Sequence, residues 1–204
     1  MGERFTEGFE VSGNIKTKIG RKSLDKNTAG AGTIPAAAAP YVTVAEYGDA
    51  TFHQSVFTLT ALPVTMRDTQ QGGGVKIYDF PLGRIFRLGA TGSIAVTTTS
   101  ILADTLNTGV TCNWGVGSTT QASATLATTE QDFVNVQAFT ASATIDVAGA
   151  VSTGVGPSVL ASLDGSSTAV DAYLNLAVAG ATDIDADASV TVSGTIKITW
   201  INLS

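Results

Sequence analysis

Near the end of the chain, "DIDADAS" places Asp183, Asp185 and Asp187 at every second position. Alternate residues of a strand share one face, so three carboxylates in this rhythm could converge on a hard cation such as Ca2+, which takes oxygen ligands. An EF-hand loop starting at Asp183 would need Gly at 188 and Glu at 194, and the chain has Ala188 and Gly194. In a solvated turn the same three charges need no cation, because salt screens their repulsion. The expectation is no metal, with Asp183, Asp185 and Asp187 as the candidate ligands if Ca2+ binds.

Nucleophilic and acid–base chemistry have little to work with. His53, in "ATFHQSV", is the only histidine, and no G-x-S-x-G elbow presents a serine to it. It is expected as a surface or strand residue. Cys112 is the only cysteine, so it has no partner within the chain for a disulfide, and one Cys with one His is too little for zinc. It reads as a small buried hydrophobe. "GRKSL", residues 20 to 24, ends somewhat like a P-loop, but lacks the Gly before Lys and a preceding strand. "QQGGGV" is followed by a strand pattern, where a phosphate cradle would need a helix. Paired carboxylates for glycoside hydrolysis leave no spacing signature, but a sugar-cleaving cleft carries aromatics. The two tryptophans, Trp114 and Trp200, both fall on alternating apolar positions and read as core. No catalytic residue and no cofactor are expected, and the protein is not read as an enzyme.

The elements that would hold these residues are strands. "SVTVSGTIKITWI", residues 189 to 201, sets Val190, Val192, Ile196, Ile198 and Trp200 on even positions, with Ser, Thr and Lys197 between them. That is a half-buried strand, with Gly194 marking a bulge or a close crossing. "YVTVAEY", "SVFTLTALPVTMRD", "RIFRLGATGSIAVTTT", "VTCNWGVG", "QASATLAT", "FVNVQAFTASATIDV", "SVLASL" and "TAVDAYLNLAV" read as further strands. Pro63 marks an edge or a bulge, and Gly72, Gly73 and Gly74 a flexible turn before a short strand. "ILADTLNTG" is the best helical candidate of the body. Eight to ten strands without a crossover helix imply antiparallel pairing. The expected fold is all-β: an antiparallel two-sheet sandwich, a jelly roll rather than an immunoglobulin-like one on strand number and length, with an extended N-terminal arm.

Charge supports a division at residue 40. Charged residues make up 14% of the chain, against ~25% for an average domain, so Ser and Thr must supply most of the polar surface. The net charge of −6 is unevenly placed. Lys16, Lys18, Arg21, Lys22 and Lys26 face only Asp25 between residues 12 and 26, whereas residues 88 to 196 hold nine acids and no Lys or Arg. "NTAGAGTIPAAAAP" reads as linker, because Pro35 and Pro40 disfavour helix before them. Residues 1–40 are therefore an extended basic arm and 41–204 a β-sandwich body. The five cations are the expected contacts to an acidic protein surface. Nucleic acid is not the expected partner, since the arm lacks interleaved aromatics. No apolar run approaches the ~20 residues of a membrane span, and no signal peptide is evident, so synthesis in a cytoplasm is expected. Few lysines guard the strand edges, which favours life in an oligomer or lattice.

Three stretches resemble a known family: "GGGVKIYDFPLGRIFRLGATGSIAVTTTS", "NWGVGSTTQASATLATTEQDF" and "DADASVTVSGTIKITWINL". From Gly72 to Ser204, about two thirds of the chain, the sequence resembles the jelly-roll cement, or decoration, proteins of tailed-bacteriophage heads. The resemblance implies a virion protein on the outer surface of the phage head, made in the bacterial host cytoplasm. It implies the major capsid protein as partner, bridged across capsomers, and a homo-oligomer, dimer or trimer. It carries over no catalytic residue. The alternative from another class is a receptor- or glycan-binding β-sandwich module of a phage tail or cell surface, which predicts an exposed aromatic patch near amides.

Overall fold

A computed structural model describes residues 30–49, 51–98, 111–140, 152–155, 161–178, 184 and 187–203. The helical candidate at 101–109 and the arm cations lie outside them. Among the described residues, ten strands form two antiparallel sheets. The strands are β1 (Val42–Gly48), β2 (Phe52–Met66), β3 (Gly72–Asp79), β4 (Gly83–Thr98), β5 (Thr111–Gly117), β6 (Val134–Thr140), β7 (Ser152–Val155), β8 (Ala161–Gly165), β9 (Asp171–Val178) and β10 (Ala188–Leu203). One sheet runs β1-β2-β10-β4-β7, with β8 also beside β4, and the other runs β3-β9-β5-β6. The pairs nest: β2 with β10, β3 with β9, β4 with β7 and β8, β5 with β6. A long antiparallel ribbon rolled up on itself gives this nesting, and that is the jelly roll.

The core lies between the sheets. Val190, Val192, Ile196, Ile198 and Trp200 of β10 are all buried, as their alternation requires. On β2 the inward phase changes. His53, Ser55, Phe57 and Leu59 point inward, then Leu62, Val64 and Met66 do. A bulge causes the switch: Leu59 pairs with Gly194 and Leu62 with Val192, so Thr60 and Ala61 together face Ser193. Ala61 has φ 48° and donates its N–H to Ser193 Oγ at 2.9 Å. Gly194, at φ 149°, leaves no room for a Cβ, which would strike the Ser93 carbonyl. The bulge expected from Gly194 is present, with the extra residue on β2. Pro63 lies beyond the reach of β1, which stops pairing at Leu59, so it sits on an edge.

Several expectations are corrected. Gly72, Gly73 and Gly74 form the start of β3, not a flexible turn. A Cβ on Gly73 would strike the Thr65 carbonyl, so glycine there permits a close approach of β2 and β3. "QASATLAT" is a loop, because buried side chains, not a neighbouring strand, take its backbone groups. The described part of the linker, residues 30–40, packs against the body. Thr33 exchanges two 2.8 Å backbone hydrogen bonds with Asp79, and Ala38 is buried. Short apolar side chains and a Pro35 turn let this segment lie against the sandwich edge. Trp114, Trp200 and Cys112 are buried as expected.

Candidate functional site

The residue types that could do chemistry do meet, but inside the sandwich. The pleat brings His53 and Ser55 to the inner face of β2, and pairing with β1 sets Glu46 opposite Ser55. Ser55 Oγ donates to Glu46 Oε2 at 2.9 Å. Tyr78 Oη, from β3 in the facing sheet, donates to Glu46 Oε1 at 2.6 Å. Trp200 Nε1 donates to Ser55 Oγ at 2.8 Å, and Gly32 N–H to Tyr78 Oη at 2.7 Å. His53 stacks flat on the Trp200 indole, with centroids 4.1 Å apart. Burial, then the adjacent Glu46 carboxylate, pushes the Tyr78 phenol far above its ordinary range, so it remains a donor.

A serine, a histidine and an acid in proximity could suggest a triad, but the order of bonds excludes it. A triad needs the histidine between serine and acid. Here Ser55 bonds the carboxylate directly and its lone pair is taken by an indole N–H. Glu46, His53 and Ser55 are at most 2% exposed, so substrate has no access to them. His53 is a strand residue, as one half of the expectation had it, but it is buried rather than on the surface. The aromatic stack provides the reason. The network joins β1, β2, β3 and β10 and fastens residue 32 to the body.

A second polar cluster shapes residues 118–132. Asn175, fully buried on β9, donates from Nδ2 to the carbonyls of Thr119 (2.9 Å) and Glu130 (2.8 Å) and accepts the Gln121 N–H at 2.9 Å. Glu130, also buried, accepts the N–H groups of Ala122 (2.8 Å) and Ala127 (2.6 Å). Asp132 accepts the Ser118 N–H and hydroxyl at 2.8 and 2.7 Å. Burial raises the Asp132 carboxyl above its ordinary range, against the pull of those bonds and of the Arg87 charge. Burial likewise lowers Arg87. Sequence reasoning missed this cluster. The one available signal was Glu130 three residues after Ala127, the spacing of a capping carboxylate.

Of the aspartates weighed as cation ligands, Asp187 is exposed and accepts the Asp68 N–H at 2.9 Å, while Asp183 and Asp185 lie outside the described residues. Among the described residues no group of three His, Cys, Asp or Glu side chains is placed to hold a metal. Lys16, Lys18, Arg21, Lys22 and Lys26 also lie outside them; the nearest described residue is Gly30, at the end of the sandwich where Thr33 meets Asp79. On the surface, Lys76 of the edge strand β3 bonds Asp79 (2.7 Å) and Asp171 (3.3 Å), and the Asp79 bond chiefly raises its pKa.

Among the described residues, then, the chain is a jelly roll with Glu46, His53 and Ser55 sealed into its framework. No known family matches it, and neither does any curated protein. Among solved structures it is similar to a chain in the structure of infectious bursal disease virus, Gx strain, at 14% identity and a TM-score of 0.31. That likeness covers 76% of this chain and 35% of the other, so this chain spans about a third of the length of the protein it matches.

Proposed function

We propose that the protein is a structural virion component that decorates a tailed-phage head and cements it by bridging capsomers of the major capsid protein. The observation that supports this reading is the sealed interior: among the described residues, the gathering of His53, Ser55 and Glu46 is at most 2% exposed and committed to holding strands together. Such a block offers surface and no turnover. Gly32 and Thr33 are hydrogen-bonded to Tyr78 and Asp79 of the body. Lys16, Lys18, Arg21, Lys22 and Lys26 contact acidic neighbouring subunits, and one or two further copies of the chain complete a dimer or trimer. Tethering raises the avidity of two weak contacts by ~10²–10⁴ when the geometry allows both.

Purified heads test this. The protein should be on the outer surface of mature particles, and adding it to heads that lack it should raise their resistance to heat. Its absence from mature heads, or unchanged resistance, rejects the reading. Reversing the five arm charges should weaken incorporation, more at low salt than at high salt, because screening already removes the attraction at high salt. Equal incorporation of the reversed variant removes the electrostatic role of the arm.

A further inference from the structure

The outer strands of a sheet carry backbone groups that need a partner or a guard. On β6, the Val136 N–H donates to Gln131 Oε1 at 2.9 Å and the Val136 carbonyl accepts from Gln137 Nε2 at 2.8 Å, so side-chain amides close that edge. On β3, Gly72 exchanges backbone bonds with Arg67 at one end and Asp79 with Thr33 at the other. β7 and β8 are only four and five residues long. Among the described residues β1 has no such guard. It pairs with β2 alone, and its seven residues include no Lys, Arg or Pro.

The Thr60 N–H donates to the Tyr41 carbonyl and the Asp49 N–H to the Phe52 carbonyl, each at 2.8 Å. Tyr41–Thr60 and Asp49–Phe52 are thus hydrogen-bonded pairs at the two ends of the β1–β2 ladder. Such pairs alternate along an antiparallel ladder, so Thr43, Ala45 and Tyr47 turn their N–H and C=O groups to β2, and Val44 and Glu46 turn theirs outward. Val44 shares the inner face with buried Val42 and Glu46 and packs on the core, yet it is only half-buried. Outward backbone groups beside a half-covered apolar side chain fit one more strand, apolar on its inner face.

The chain holds such a pattern ahead of Gly30. "FEVSGNIKTKI", residues 9–19, sets Phe9, Val11, Ile15 and Ile19 on odd positions and Glu10, Ser12, Asn14, Lys16 and Lys18 on even ones. Val11, Ile15, Thr17 and Ile19 are β-branched, and Gly13 disfavours a helix. The reach is ample. Gly32 N–H bonds Tyr78 Oη, which bonds Glu46 in the middle of β1. From Ile19 to Gly30 the chain spans up to about 36 Å, whereas a strand the length of β1 is about 23 Å long.

We propose that residues 9–19 add to the outer edge of β1 in the same chain. Phe9, Val11, Ile15 and Ile19 turn inward beside Val44, and Lys16 and Lys18 turn to solvent. The Val44 and Glu46 backbone supplies the hydrogen bonds, and the apolar face supplies the register. The tether holds the segment at ~mM effective concentration, so in dilute solution it outcompetes the segment of a second copy. The inference concerns the free chain and stands or falls apart from the virion reading.

Backbone amide exchange in the full chain, followed by NMR, tests it. The Val44 and Glu46 amides should exchange about as slowly as those of Thr43 and Ala45, which bond β2. Ser12→Pro with Ile15→Pro places one proline on each parity, so a ladder donor is lost whichever residues face β1. That variant should speed Val44 and Glu46 about tenfold, the worth of one or two net hydrogen bonds. Thr43 and Ala45 should stay slow, which shows the body still folded. Val11→Thr with Ile15→Thr keeps the strand propensity, removes half of the apolar face and should speed the same two amides by a smaller factor. The proposal is overturned if Val44 and Glu46 exchange at the free-chain rate in the parent protein, or if either variant leaves them as slow as in the parent. It is also overturned if their protection falls on about a hundredfold dilution, which would put the segment of a second copy on the edge.

Discussion

Glu46 and Glu130 are both nearly inaccessible, at 2% and 4% exposure, yet they are held by opposite means. Glu46 takes its hydrogen bonds from side chains, Ser55 and Tyr78, which stand on strands that ladders already hold. Glu130 takes its bonds from backbone, the N–H groups of Ala122 and Ala127, in a loop that has no ladder. Burying a carboxylate costs several kcal/mol unless hydrogen bonds satisfy it. In the first case that cost fixes how two sheets and residue 32 meet. In the second, Glu130 and Asn175 do the work a neighbouring strand would do. Removing a partner should therefore loosen the loop far more than the sandwich.

The largest effect is expected from Asn175→Leu. It keeps the number of side-chain heavy atoms but strips partners from the Thr119 and Glu130 carbonyls and the Gln121 N–H. Urea unfolding should show a loss of about 3 kcal/mol, the cost of several buried groups left unpaired. Hydrogen exchange should speed up first at the Gln121 and Ala122 amides. Glu46→Gln comes next, at about 2 kcal/mol, because the amide keeps one acceptor and loses one charge-assisted bond. It should also loosen the Tyr78 bond to Gly32 and increase proteolysis near residues 30–34 while the 118–132 loop stays protected. If Glu46→Gln costs more than Asn175→Leu, or opens that loop, the two clusters are not separate in the way described.

The two regions also differ in what the sequence reveals. The sandwich is legible because period-2 alternation in β9 and β10 is a direct consequence of burying one face. The jelly roll follows from strand number and the lack of crossover helices. β2 is less legible, because the bulge at Thr60 and Ala61 shifts the inward phase from odd to even positions. The 72–74 glycines mislead, since glycine marks both a free turn and a crowded strand, and only the Thr65 carbonyl above Gly73 separates the two. The loop at 118–132 is barely legible, its one local signal being the spacing of Glu130 from Ala127. Its alternation of Ala and Leu with Ser and Thr mimics a strand, and its main determinant, Asn175, lies about fifty residues away in the sequence. Likewise nothing local to His53 announces the indole it stacks on, 147 residues away.

The smallest expected effect sharpens the same contrast through pH. Asp132, at the loop, and Asp49, at the turn before β2, both accept backbone N–H bonds, yet burial raises the first, whereas the Phe52 and Thr51 N–H groups lower the second. A raised folded-state pKa means the native protein holds the proton more tightly than the unfolded chain. The stability Asp132 contributes is then full below its unfolded value near 3.8 and is lost as pH rises through the folded one. Asp132→Asn should gain on the parent protein as pH rises from about 3 to 7, since the amide carries no charge to bury and can still accept the Ser118 N–H. Asp49→Asn should run the other way, level with the parent in acid and less stable at neutral pH. Urea midpoints of the three proteins at four pH values decide it: curves of opposite slope mean that the loop buries a charge at a cost while the turn merely caps itself with one. Two parallel curves would mean that Asp132 is as well solvated as Asp49, and that the loop is held by its neutral partners alone.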